Sequence, residues 1–339
     1  MRHLTAAVTL VTLVFAPAAS AQRPPGQDFG RPDAFVAATA TFSFFSDPRV
    51  NLHDLLVWRL ESRDPVDPRP GCLDRLDAPD GEAFRRAAGF YRDRLSAANR
   101  DRRDVLIDLR FHLIGHPEVE IAPDSVVDAA VEHLDAALPA YRACWWGDHD
   151  ARNRRWIAGV VPRVRAVEDS LTVRLARLYQ GEWVLPIPVD VAGRGSRTGA
   201  NTVLDPDHIL VGTALRAYDG NTALEIVFHE ASHTLVGPRS GAVARALGSA
   251  AREAGVERLP PELWHVVLFY TTGRALEALL AERGTDYHPY LYSEGLFDRA
   301  WPELREPMER HWQPYLDGRI GMDEAARRLL RAIREDRGG

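Results

Sequence analysis

The sequence predicts a mainly α-helical α+β protein with one small antiparallel sheet. Three observations predict it. Long stretches repeat apolar residues at helical spacing, as in Leu52, Leu55, Leu56 and Leu60 or Phe84, Ala87, Ala88, Tyr91 and Leu95. One interval, between Gly181 and Val211, changes to short β-rich runs broken by Pro, Gly and Asp. Hydrophobic residues make up 45% of the 339 positions, enough for a large core.

The elements follow in order. Leu4 to Ala16 is an apolar run after a polar start, and Ala19-Ser20-Ala21 fits a small-x-small cleavage pattern, so 1–21 reads as an export signal. At thirteen residues that run is shorter than the roughly 20 needed to span a bilayer, and no later stretch reads as a membrane anchor. Residues 22–33 read as a disordered leader rich in Pro, Gly and polar groups. Helices are expected at 51–61 and 81–98, and 105–114 suits either helix or strand. A helix from 124 to 142 can be capped by Asp124-Ser125, and a longer one covers 150–180, kinked or divided at Pro162.

Residues 183–191 look strand-like, but two prolines assign them to a sheet edge. Gly193 to Gly199 is a glycine-rich turn. Short strands at 201–204 and 208–211 flank the turn Asp205-Pro206-Asp207, with 208–211 expected at the sheet edge. Helices return at 221–236, 240–254, 261–283, 301–316 and 322–335. The chain therefore divides into an N-terminal helical region, 34–180, and a region with the sheet and C-terminal helices, 181–339.

Charge narrows the partners. The net charge is −6 and all 42 basic side chains are arginine, with no basic excess to hold a nucleic acid or an anionic membrane. Arg100 to Arg103 and Arg152 to Arg155 read as solvated faces. Cys72 and Cys144 have no metal-binding spacing; in an exported chain they are expected to form one disulfide, the alternative being two buried thiols.

The chemistry concentrates at His229-Glu230-Ala231-Ser232-His233. On a helix, residues four apart share a face, so the two imidazoles can close on one metal ion. Glu230 lies about 100° around the helix, where it can reach a water activated by that ion. A chain of this composition carries such a pattern by chance about 0.03 times. Leu224, Ile226, Val227, Phe228 and Leu235 make the helix apolar on most sides, an environment where two His and a Glu need partners.

The segment Ile226 to Leu235 resembles the active-site helix of the zincin metallopeptidases. It shares their uncharged flanking positions, here Val227, Ala231, Ser232 and Thr234, and their hydrophobic residue after the second His, here Leu235. The resemblance implies a zincin-like fold, Zn2+ as cofactor, His229 and His233 as metal ligands, Glu230 as catalytic base and a peptide or protein as substrate. Gly237-Pro238, with no nearby third His, departs from the metzincin pattern and leaves a gluzincin-like arrangement, whose third ligand comes from a downstream helix. Of the glutamates that pattern suggests, only Glu253 has an acidic residue four positions on, in a stretch that looks solvated. His265, in the apolar run Leu263 to Tyr270, is the preferred third ligand, with Glu277 and Glu262 as alternatives. Tyr290 is the first choice for a donor to the oxyanion, ahead of His288 and Tyr292. His208 is a candidate for binding substrate or orienting a ligand. Trp301, Trp312 and Tyr315 read as core.

The expected function is an exported zinc metallopeptidase. The alternatives are a zinc hydrolase acting on a non-peptide amide or ester, and a non-catalytic helical binding protein. No G-x-S-x-G elbow or P-loop competes.

Overall fold

A computed structural model describes residues 28–61, 71–95, 102–115, 125–194 and 199–338. The expected signal segment and residues 195–198 of the glycine-rich turn lie outside these. Among the described residues no helix is long and apolar enough to cross a membrane.

Five strands form one sheet: β1 (Phe35–Ala38), β2 (Phe42–Phe45), β3 (Ile187–Ala192), β4 (Ala200–Val203) and β5 (His208–Gly212), in the order β1-β2-β3-β5-β4. The sheet is mixed, not antiparallel. The pairs β1/β2 and β4/β5 are antiparallel hairpins, whereas β2/β3 and β3/β5 are parallel. Parallel neighbours need a long crossover, and here one runs from β2 to β3 through the whole N-terminal helical region.

That topology corrects three expectations. Strands β1 and β2 arise inside the region expected to be helical. β3 is central rather than an edge, because Pro188 precedes Val189, where pairing with β5 begins, so no bond to β5 requires its missing N–H. β5 is interior, and the edge strand beside it is β4. Side chains alternate across the sheet. Val189, Val191, Ile209 and Val211 join one apolar core, while Ala192 and Leu210 join another.

The second core belongs to α1 (Pro48–Glu61), α2 (Ala78–Arg94), α3 (Arg102–Ile114) and α4 (Ser125–Tyr141). Cys72 and Cys144 are bonded there, with Cα atoms 5.9 Å apart. The first core is built on α5 (Gly147–Tyr179), α6 (Gly220–Ser232), α7 (Gly241–Ala254) and α8 (Leu263–Glu282). Helix α5 runs unbroken through Pro162. Its stripe of Ile157, Val160, Val164, Leu171 and Leu175 is buried along the sheet, which offsets the one backbone bond that proline removes. Four short helices, Tyr290–Ser293, Leu296–Ala300, Pro302–Pro307 and Gln313–Leu316 (α9 to α12), and α13 (Met322–Gly338) close the structure.

The expected leader is also corrected over 28–33. Phe29 is buried against Phe45, and Arg31 reaches under the sheet to pair with Asp190.

Candidate metal centre and active site

Helix α6 begins at Asp219, whose carboxylate accepts from the Gly220 N–H at 2.7 Å. From Ala223 to Ser232 every residue is buried, so all but the first turn of the helix lies inside the fold. His229 occupies its last full turn and His233 its C-terminal cap. His265 enters from the first turn of α8, the helix packed alongside.

The three rings form a near-equilateral triangle, with centroids 5.1, 5.2 and 5.3 Å apart. One ring nitrogen of each lies within 4.8 Å of the other two, so the three can hold a metal ion. Nε2 of His229 and Nε2 of His265 are 3.3 Å apart. Tetrahedral coordination with bonds of about 2.0–2.1 Å separates ligand nitrogens by about 3.3 Å, so the residues present fit such an ion.

The protonation states agree. Burial, then the neighbouring histidines, hold His229 well below its ordinary pKa; burial and His265 push His233 down to about 3. His265 is lowered by burial, with Glu262 opposing. Neutral imidazole is the form that binds metal. Glu262 is not a third ligand of this cluster; its carboxylate stands 3.4 Å from Nδ1 of His265, where it can fix the tautomer of a ligand ring. Glu277 pairs with Arg274, and Glu253 lies on α7 facing Arg327.

Glu230 projects toward the sheet edge. The Thr202 hydroxyl on β4 lies 2.7 Å from its Oε2 and 2.8 Å from its backbone carbonyl. Burial raises the Glu230 carboxyl to about 7, with Thr202 and then Arg110 opposing. A group poised there can both accept and return a proton near neutral pH.

Aromatic side chains wall the triangle. Phe269 stacks on His229 at 3.5 Å, Trp264 on His265 at 5.2 Å, and Trp301 stands edge-on to His265. Tyr290 stacks on Phe269 at 6.0 Å and is half-buried beside Tyr218.

No family model, curated protein or solved structure matches this chain. Its chemistry must be read from its own residues.

The structure brings together His229, His233 and His265; Glu230, the next residue after His229, turns to Thr202 on β4, and Tyr290 stacks behind Phe269. It removes three other candidates. His208 is fully buried on β5, bonded to Asp190 at 2.8 Å, and cannot touch substrate. Tyr292 bonds Glu309, and His288 is exposed, its ring tilted against that of Tyr292. Trp301 is partly buried, packed against the first core and edge-on to His265.

Sequence reasoning missed Thr202, which has no local signature, and Glu225, which had one. Glu225 lies a turn before His229, fully buried; it accepts from the Tyr287 hydroxyl and, at 3.0 Å, from the Tyr290 N–H. It thereby ties the loop carrying Tyr290 to the histidine helix. Gly273 on α8 permits this approach, since a Cβ there would stand 2.9 Å from Oε1 of Glu225.

Proposed function

We propose that this protein is an exported zinc-dependent metallopeptidase of zincin type. The observation that carries the reading is the convergence of three imidazoles from two helices, with a buried carboxylate, Glu230, one residue from the first of them.

His229, His233 and His265 would hold the ion. Zinc, when bound, acidifies a water molecule and polarises the carbonyl that the water attacks. Oε2 of Glu230 is oriented by the Thr202 hydroxyl, which leaves Oε1 to take the proton of the attacking water and pass it to the departing nitrogen. The Tyr290 hydroxyl is the donor offered to the oxyanion. Phe269, Trp264 and Trp301 exclude water around the imidazoles.

A peptide substrate is favoured by β4. Among the described residues this strand pairs only with β5, and its residue Thr202 touches Glu230, so an extended peptide adding to the free edge would lie beside the base. Export is supported by the apolar N-terminal run and by the Cys72–Cys144 bond, which suits an oxidising compartment.

The test combines metal content with turnover of a peptide library. Purified protein should carry one zinc per chain and lose cleavage on chelation. Glu230→Gln should keep the zinc and cleave nothing. Turnover unaffected by Glu230→Gln would overturn the mechanism, and hydrolysis of simple esters but no peptides would favour a non-peptide substrate.

A further inference from the structure

We propose that Glu225 is a positioning residue of the metal centre: its buried carboxylate holds the loop of Tyr290, and through the rings of Tyr290 and Phe269 it fixes the ring of His229. The inference rests on the metal-centre reading above and adds to it a residue outside the histidine triangle.

Helices α6 and α8 meet in register. A Cβ at Gly273 would stand 2.9 Å from Oε1 of Glu225, Phe269 stacks on His229, and the rings of His233 and His265 lie 5.3 Å apart. Each turn forward along α6, from 225 to 229 to 233, is thus matched by one turn back along α8, from 273 to 269 to 265. Glu225 occupies the first layer of this antiparallel seam, His229 the second, and the pair His233 and His265 the third.

His229 needs support from packing. A ligating imidazole is ordinarily oriented by a hydrogen bond to its second nitrogen, and Glu262 stands at Nδ1 of His265 in that role. Nδ1 of His229 is sealed from solvent, and among the described residues it has no hydrogen-bond partner. Its neighbour is instead the Phe269 ring, 3.5 Å away and inclined by 26°. The Tyr290 ring lies 6.0 Å from Phe269, inclined by 16°, so the three rings run nearly parallel.

Tyr290 is set in turn by Glu225. Oε2 of this carboxylate accepts from both the Tyr287 hydroxyl and the Tyr290 N–H, so one oxygen grips the turn at both ends. Pro289, between them, lies against α8, where a Cβ at Gly273 would meet its own Cβ at 2.8 Å. Oε1 of Glu225 is buried and has no partner among the described residues. Packing α6 on α8 does not call for such a group, since an apolar side chain would fill the layer without desolvating a carboxylate. What the carboxylate matches is the pair of donors on the loop.

The test reads the His229 ring directly. In the metal-free wild-type chain with isotope-labelled histidine, NMR should show the His229 ring protons displaced upfield by the Phe269 ring, a signal identified by its loss in His229→Ala. Glu225→Leu should return that signal toward the ordinary histidine position and weaken zinc binding by about tenfold or more. Glu225→Gln keeps an oxygen that can accept from both donors, so it should restore the signal and the zinc affinity. Glu168→Leu, on α5, removes a buried carboxylate that accepts from the Thr41 N–H at 2.9 Å; it should cost stability and change neither readout. If Glu225→Leu does not fold, Gly273→Ala decides: its methyl group would press on Pro289 and on Oε1 of Glu225, and it must move the same signal. A His229 signal unmoved in Glu225→Leu or Gly273→Ala, a Glu225→Gln chain as altered as Glu225→Leu, or the same change in Glu168→Leu overturns the proposal. A signal that responds as expected in a protein whose wild type binds no zinc overturns the metal reading alone.

Discussion

Two sets of three histidines lie in or against the core, and they differ in what they face. His53 bonds the Tyr91 hydroxyl at 2.7 Å, His149 the Tyr141 hydroxyl at 2.8 Å, and His208 the Asp190 carboxylate at 2.8 Å. Each is held by a hydroxyl or a carboxylate, not by another imidazole, and completes a polar contact between elements. His229, His233 and His265 instead turn toward one another, at ring separations of 5.1 to 5.3 Å. A protein gains nothing from facing three desolvated imidazoles together unless something binds between them. Burial alone therefore does not mark a functional histidine; the identity of its neighbours does.

The comparison breaks most visibly through activity. Replacing Glu230 by Gln should lower kcat by about 10²- to 10⁴-fold while one zinc per chain remains. His229→Ala should lose both metal and turnover. His208→Gln should keep metal and turnover and lose only stability. Metal analysis beside steady-state kinetics checks all three, and a metal-free His208→Gln would erase the distinction between the sets.

The next effect is on stability. Zinc at about a hundred times its Kd should raise unfolding free energy by about 2.7 kcal/mol, read as a rise in melting temperature. His265→Ala should remove that rise, and His149→Gln should not. An equal response in both variants would place the metal elsewhere.

The smallest effect tests the partnered set. Burial, then Arg110, pushes His53 down to about 3. The unfolded chain therefore protonates this residue near pH 6.5 while the folded chain resists, so wild type loses stability as pH falls from 6.5 toward 3. His53→Gln removes that term. Relative to the variant, wild type should lose about 1.4 kcal/mol per pH unit below 6.5, or about 2 kcal/mol by pH 5, in urea titrations. Parallel pH profiles would show that His53 is not held neutral.

The legibility of the sequence follows the same division. The histidine helix, Glu230 and the third histidine of the cluster, His265, could be read because their pattern is local or because an imidazole in Leu263 to Tyr270 is conspicuous. Helical periodicity placed most helices within a few residues. The strand order could not be read, since the parallel pairing of β2 with β3 joins residues more than 140 apart, and nothing local in Phe42 to Phe45 specifies it. The same distance hid the partner of Arg31. His208 was misjudged because nothing local marks it as buried, and only Asp190 on the neighbouring strand explains it. Thr202 was invisible for the same reason: its role depends on a contact 28 residues away.

The central claim is that His229, His233 and His265 hold one zinc ion, and the most direct test is X-ray absorption spectroscopy on zinc-loaded full-length protein. The expected result is one zinc per chain with three imidazole nitrogens at about 2.0–2.1 Å, falling to two or to no bound zinc in His265→Ala. A zinc shell of oxygen ligands alone, or one unchanged by His265→Ala, would contradict it.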